Sequence, residues 1–260
     1  MEKLRILIGS SICQKPRLLE KFLGSIQRIA VSDLDISFLF IDDNQEEKSS
    51  DLLHEAALGR SKLVLHAPPR ETIYRTDEIK HYWDDSLVLR VANLKNEIIN
   101  YAIDNEFDYL FLIDSDLLIH PNLIEHLVAQ KKDVISEIFW TAWQPGMMPL
   151  PNVWMYDNYE MAHPSLSDEE RTAKTLEFLT RLGQPGTYEV GGLGACTLLA
   201  VSALKRGLNF SPVKNVSFWG EDRWFCIRAA ALGIKLFVDT HFPAKHLYRE
   251  SDVDASDEFA

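Results

Sequence analysis

Two aspartates stand one residue apart in "YLFLIDSDLLIHP" (residues 109–121), directly after the apolar run "YLFLI". Carboxylates at this spacing, where a buried strand ends, can converge on one hard divalent cation. Aspartate also bonds readily to nearby backbone, so Asp114 capping a turn and Asp116 helping to begin a helix near Pro121 is the competing reading. More acids recur in comparable places. "DISFLFIDDN" closes a second apolar run on Asp42 and Asp43, and "WGEDRWFCIRAAALG" opens a helical stretch with Glu221 and Asp222. Two histidines, His241 and His246, fall in "IKLFVDTHFPAKHLY". Carboxylates suit Mg²⁺ or Mn²⁺, and one imidazole among them makes a site more hospitable to Mn²⁺. A carboxylate fixed at a helix start is a candidate general base. Favourable helix-dipole charge explains Glu221 alone equally well. For His246, a histidine bonded to backbone is an equal alternative to a metal ligand.

The elements that would carry these residues alternate along the first half. "LRILIGSSI" reads as a strand, "PRLLEKFLGSIQRI" as a helix with Pro16 near its start, and "DISFLFIDDN" as a second strand. "SSDLLHEAALG" has the period of a short helix stopped by Gly59, "KLVLHAPP" is a third strand, and residues 70–86 are polar and irregular. "SLVLRVANLKNEIINYAID" is again helical and leads into the "YLFLI" strand. Such alternation predicts an α/β fold, a mainly parallel central sheet with helices on both faces. Ligands of such sheets bind beyond the carboxyl ends of the strands, where the paired acids sit.

The second half differs. Residues 139–161 are rich in aromatics, Pro and Gly without a period, and predict a loop-rich segment over a site, mostly a satellite core. "SDEERTAKTLEFLTRLG" is an amphipathic helix with a capping box of Ser167 and Glu170 and a stop at Gly183. "YEVGGLGACTLLAV" reads as a strand, the last apolar run as a strand followed by a loop with both histidines, and "ESDVDASDEFA" as a frayed end. One domain over 1–260 is expected, with one half running to about 120, a second over about 121–250, and a flexible 251–260 tail.

The 260 residues are 46% hydrophobic, enough for a real core, and carry a net charge of −12, which argues against nucleic acid as a main partner. The three cysteines form no CxxC pair and read as reduced, mostly buried thiols. "MEKLRILIGSSIC" reads as a first strand, not a signal peptide, and no apolar stretch is long enough to span a bilayer, so a cytoplasmic protein without a transmembrane segment is expected.

Taken together, "FLFIDDNQEEKSSDLL", "DYLFLIDSD" and "WGEDRWFCIRAAALGIKLFVD" resemble the family 2 glycosyltransferases of the GT-A fold, over residues 4–250 or so. The resemblance implies a metal-dependent, inverting, non-processive transferase that moves a sugar from a nucleotide-diphospho-sugar, UDP- or GDP-linked, to a saccharide or other hydroxyl acceptor. It implies Mn²⁺ or Mg²⁺ held by Asp114, Asp116 and His246. By the same resemblance Ser10, Asp43, Arg90, Asn96 and Asp114 hold the nucleotide. Asp222 is the base with Glu221 beside it, and Gly192, Trp219 and Trp143 line the acceptor side. Lys95, where relatives often have Arg, reads as a solvated helix residue, and Arg90 pairing with Asp84 or Asp85 is the alternative to its diphosphate role. A sugar-1-phosphate nucleotidyltransferase and a non-catalytic nucleotide-sugar-binding protein are the rival functions.

Overall fold

The computed structural model describes residues 3–30, 32–57, 62–69, 74–76, 81–216 and 220–259. Its strands are β1 (Leu4–Ile12), β2 (Leu34–Asp42), β3 (Lys62–His66), β4 (Tyr109–Leu112), β5 (Val134–Thr141), β6 (Thr187–Val190), β7 (Thr197–Ala200) and β8 (Leu236–His246). The helices are α1 (Pro16–Gln27), α2 (Glu47–Ala57), α3 (Asp85–Asp104), α4 (Leu123–Ala129), α5 (Asp168–Leu182) and α6 (Glu221–Ala231). The strands form one sheet in the order β6-β8-β5-β7-β4-β1-β2-β3. Along this path β6 and β7 run against the other six, which share one direction.

Successive residues of β1 point to opposite faces. Ile6 and Ile8 pack with Leu19, Phe22 and Ile26 of α1 and Leu123, Ile124 and Leu127 of α4. Leu7 belongs to the cluster on the other face, which also holds Val88, Ile98 and Ala102 of α3, Phe178 and Leu182 of α5 and Phe225 of α6. Both faces are therefore covered, as strands apolar on each side require. The local signals act where they stand in the sequence. Pro16 opens α1, Asp84 accepts from the Leu87 N–H at the start of α3, and the Ser167–Glu170 capping box begins α5.

Several expectations change. "YEVGGLGACTLLAV" is not one strand: β6 is followed by the short strand Gly192–Leu193, which pairs with Val153–Trp154, and then by β7. Both His241 and His246 lie within β8 rather than in a loop after it. Residues Glu250–Phe259 form a 3₁₀ helix, and Val253 is buried with Leu18, Leu118 and Leu247, so the start of the expected frayed tail is docked by apolar contact. Gly59 lies outside the described residues. None of the three cysteines is in a disulfide among the described residues, and Cys196 and Cys226 are buried.

Glu137 of β5 is fully buried; it accepts from the Phe242 N–H through Oε1 at 3.1 Å, while its Oε2 has no hydrogen-bond partner among the described residues. Burial, reinforced by the Asp239 carboxylate, pushes its pKa from 4.5 up to about 9. The folded state thus holds a proton that the unfolded chain releases, so this group makes stability fall as pH rises between 4.5 and about 9. Glu137→Gln is expected to flatten that dependence, with a gain in Tm over the parent that is small near pH 5 and grows up to about pH 9, read by thermal unfolding across pH.

Candidate active site

The six parallel strands end at one edge of the sheet, and a cavity of about 1200 Å³ opens there, lined among others by Asp43, Asp114, Asp116, Trp143, Gly194 and Asp222. Single drug-sized ligands fill about 300–1,000 Å³, so this space suits two substrates side by side.

On one side Asp116 meets His246. The residues after the DxD turn back as a short strand, Leu117–Leu118, that pairs antiparallel with Lys245–His246 of β8, and the Leu247 N–H donates to the Asp116 carbonyl at 2.8 Å. This brings His246 Nε2 to 3.3 Å from Asp116 Oδ2. The other ring nitrogen, Nδ1, is hydrogen-bonded to Thr141 Oγ1 at 2.7 Å, which fixes the ring and leaves Nε2 facing the carboxylate. Burial works against the Asp116 charge, but His246 outweighs it and holds the carboxyl below its usual range. One or two carboxylates completed by phosphate oxygens are what Mg²⁺ or Mn²⁺ takes from a protein in a nucleotide site, and the imidazole beside Asp116 favours Mn²⁺ of the two. The residues present fit such an ion. Asp114 leans the other way, its Oδ1 3.8 Å from Lys95 Nζ, and burial raises its pKa against the pull of Lys95.

Lys95 is the residue that sequence reading placed wrongly. It is buried, 5% exposed, with its ammonium 3.1 Å from Glu221 Oε1 and 3.4 Å from Asp222 Oδ1. Burial disfavours its charge, but Asp114, Asp222 and Glu221 prevail and raise its pKa well above the ordinary value. The signal was present: Lys95 shares a helical stripe with the buried Val88, Ala92, Ile98, Ile99 and Ala102 of α3. Glu221 and Asp222 begin α6 after Gly220, whose φ of 150° few L side chains adopt and where a Cβ would meet Tyr159 Oη at 2.6 Å. Burial, helped by Glu221 and Asp114 and opposed by Lys95, pushes the Asp222 pKa from 3.8 up to about 7.

On the β2 side, Asp43 lines the cavity and Arg90 does not. Arg90 grips Asp43 instead, Nε to both carboxylate oxygens at 3.1 Å and Nη2 to Oδ1 at 2.6 Å, and it also donates to the Pro68 and Pro69 carbonyls. The guanidinium therefore orients Asp43 and is paired with it rather than with Asp84 or Asp85. Ser10 is buried within β1 and its Oγ has no partner among the described residues; Ser11 reaches the cavity in its place, because alternate strand residues face opposite ways. Asn96 is likewise turned from the cavity, accepting from the Phe210 N–H at 2.8 Å and donating to Ser211 Oγ at 3.2 Å. Gly192 faces the Trp154 ring, which a Cβ would approach to 2.0 Å, so its smallness serves packing. The glycine at the site is Gly194, where a Cβ would stand 3.3 Å from Asp222 Oδ2. Trp143 is half exposed at the cavity, edge-on to Tyr248 at 5.3 Å between centroids, whereas Trp154 is buried in the core. Trp219 lies outside the described residues.

No family model matches the sequence, and no curated protein matches it. Solved structures do. The mannosyltransferase PcManGT from Pyrobaculum calidifontis, in complex with GDP-Man and Mn²⁺, superposes with a TM-score of 0.59 at 9% identity over 98% of this chain. S. aureus TarS 1–349 with UDP superposes at 0.54 and 11% identity over 93%. Its UDP-GlcNAc complex gives 0.51 and 12% over 96%. The chain has the GT-A-type fold. It spans 60% of the length of each of these structures. Among the described residues, no helix is long and apolar enough to cross a membrane.

Lys95→Ala would leave three carboxylates facing each other with no compensating charge. Removing one partner of a fully buried ion pair costs about 3–5 kcal/mol; here the carboxylates left behind are 14–47% exposed to the cavity, so a smaller loss, still above about 1 kcal/mol, is expected in urea unfolding at neutral pH. A cost below about 1 kcal/mol, the scale of exposed pairs, would place the ammonium in solvent.

Proposed function

We propose that this protein is a metal-dependent, inverting glycosyltransferase that moves a hexosyl group from a nucleotide-diphospho-sugar, UDP- or GDP-linked, to a hydroxyl acceptor. The observation that carries the reading is that one cavity is lined by both the Asp116–His246 pair and the Glu221–Asp222 pair, with Lys95 between Asp114 and the latter. The likeness to structures holding GDP-Man with Mn²⁺, UDP and UDP-GlcNAc supports the donor class.

In this reading Asp43, oriented by the Arg90 fork, accepts hydrogen bonds from the nucleoside. Asp116 and His246, with Asp114 beside them, hold Mn²⁺ or Mg²⁺, which would neutralise the diphosphate as it leaves. Asp222 accepts the proton of the acceptor hydroxyl. A carboxylate with a pKa of about 7 is a better base at neutral pH than an ordinary one, because it binds the proton more tightly while still being substantially ionised. Lys95 keeps Asp222 and Glu221 in place and limits how far their mutual repulsion raises the pKa. Gly194 leaves the space beside Asp222 clear, and Trp143 offers an aromatic face at the mouth. The non-processive action, and the division into a nucleotide-binding half to about 120 and an acceptor half beyond, belong to the same proposal.

Binding of UDP, GDP, CDP and dTDP, each with and without Mn²⁺, identifies the nucleotide. Asp116→Ala is expected to abolish the Mn²⁺-dependent part of that binding while leaving the circular dichroism spectrum unchanged, and full transfer activity in excess chelator would sink the metal role. Asp222→Asn retains shape but not basicity. Transfer should fall by roughly 10²- to 10⁴-fold with donor affinity intact, and the product anomer, read by NMR, should be opposite to the donor's. Retained configuration or near-normal turnover would reject Asp222 as the base.

A further inference from the structure

A second cluster lies just behind the nucleotide wall. Asp42 ends β2 one residue before Asp43, and its side chain is 3% exposed. Its Oδ1 is saturated by the Asn44 N–H at 3.1 Å, Asn44 Nδ2 at 2.8 Å and Ser50 Oγ at 3.1 Å. Its Oδ2 has no hydrogen-bond partner among the described residues, although it is buried. Two imidazoles face that oxygen. His54 Nε2, from α2, is 3.4 Å away and is itself a buried atom without a hydrogen bond; His66 Nδ1, from the end of β3, is 3.7 Å away. All three ligand atoms lie within 4.8 Å of one another.

Buried polar atoms without hydrogen bonds cost free energy, and here two of them stand 3.4 Å apart, within ion-pair distance but without hydrogen-bond geometry. Their spacing has a chemical meaning. A tetrahedral ion about 2.1 Å from each ligand holds neighbouring ligand atoms about 3.4 Å apart. The comparison within this molecule is direct. His126, Asp239 and His241 also cluster, but there Asp239 Oδ1 is already hydrogen-bonded to His126 Nε2 and to His241 Nδ1 at 3.0 Å, and Oδ2 accepts from Thr187 at 2.8 Å. That carboxylate is used up; Asp42 Oδ2 is not.

We propose that Asp42, His54 and His66 form a binding site for a zinc-class transition-metal ion, separate from the ion of the cavity. Two imidazole nitrogens with one carboxylate suit Zn²⁺ and its neighbours and do not suit Mg²⁺ or Ca²⁺, which prefer all-oxygen shells. His66 is 76% exposed, so the fourth corner opens to solvent and the ion enters from there. The ion would tie α2 and β3 to the end of β2. The residues that follow His66 already serve the nucleotide side: the Ala67 N–H donates to the Asp42 carbonyl at 2.9 Å, and the Pro68 and Pro69 carbonyls accept from Arg90, which holds Asp43. The inference rests on the cluster's own geometry and stands whether or not the chain transfers sugar.

The test is a Co²⁺ titration of the metal-stripped chain, followed by its visible d–d absorption and by competition with Zn²⁺. It is run on Asp116→Ala/His246→Ala, to remove the cavity ligands, and repeated on the unmutated chain. One tightly bound equivalent with the spectrum of tetrahedral coordination is expected in the double variant. Adding His66→Ala, a change at a largely exposed side chain, should weaken it by more than about 100-fold, the upper range for losing an outer-shell partner. His66→Cys should restore it with a new sulfur-to-cobalt charge-transfer band. His54→Ala should act as His66→Ala does, and in the unmutated chain either substitution should remove one equivalent. An unchanged titration in the His66 and His54 variants, no binding in the double variant, or loss caused instead by His126→Ala would overturn the assignment.

Discussion

The buried ammonium of Lys95 is the constraint on which the arrangement of the site depends. Asp114 comes from the end of β4, Glu221 and Asp222 from the start of α6, and without a cation between them these partly buried carboxylates would repel one another. Lys95 offsets that repulsion from within the protein. Its position in turn demands that α3 lie against both β4 and α6. The Asn96 side chain next to it secures the neighbouring segment at Phe210 and Ser211. An ordinary solvated lysine would leave two of the acids too costly to bury together.

The sheet topology supplies the second requirement, that distant acids arrive at one edge. Six strands run in the same direction, and five of them deliver Ser11, Asp43, Asp114, Thr141 and His246 to the cavity from their carboxyl ends. The reversed strand β7 lies between β4 and β5, so the turn before it, with Gly194, enters the same edge from the opposite direction. The small strand Leu117–Leu118 then pulls Asp116 across to β8. In this way polarity of strands, rather than any local motif, decides which residues share the cavity.

Asp42 and Asp43 show how a single peptide unit serves two environments. Adjacent residues at a strand end point to opposite sides. One carboxylate is gripped by Arg90 beside the cavity, the other sinks among Asn44, Ser50 and two histidines behind it. Whatever strengthens the second environment stiffens the backbone that carries the first.

Much of this was already present in the order of residues. Apolar period, Pro16, the Ser167–Glu170 box and the acids closing apolar runs are local properties, and they determined the helices, most strands, the α/β class and the edge where chemistry would sit. Asp43, Asp114, Asp116 and Asp222 could be placed at that edge for this reason, since a strand end or helix start dictates where such residues stand, whereas Trp143 was singled out only from an aromatic segment without a period. The partners were not. Arg90 meets Asp43, Asn96 meets Phe210, Gly192 meets Trp154 and Lys95 meets Glu221 across long stretches of chain. Each of these contacts depends on how α3, α6 and the β6–β7 segment dock, and docking is set by the sum of many weak apolar contacts rather than by any residue's own preference. Burial then changes what a residue is: the same lysine is a solvated charge on an isolated helix and the central counter-ion in the folded one, because desolvation and three carboxylates act on it only after the chain has closed around them.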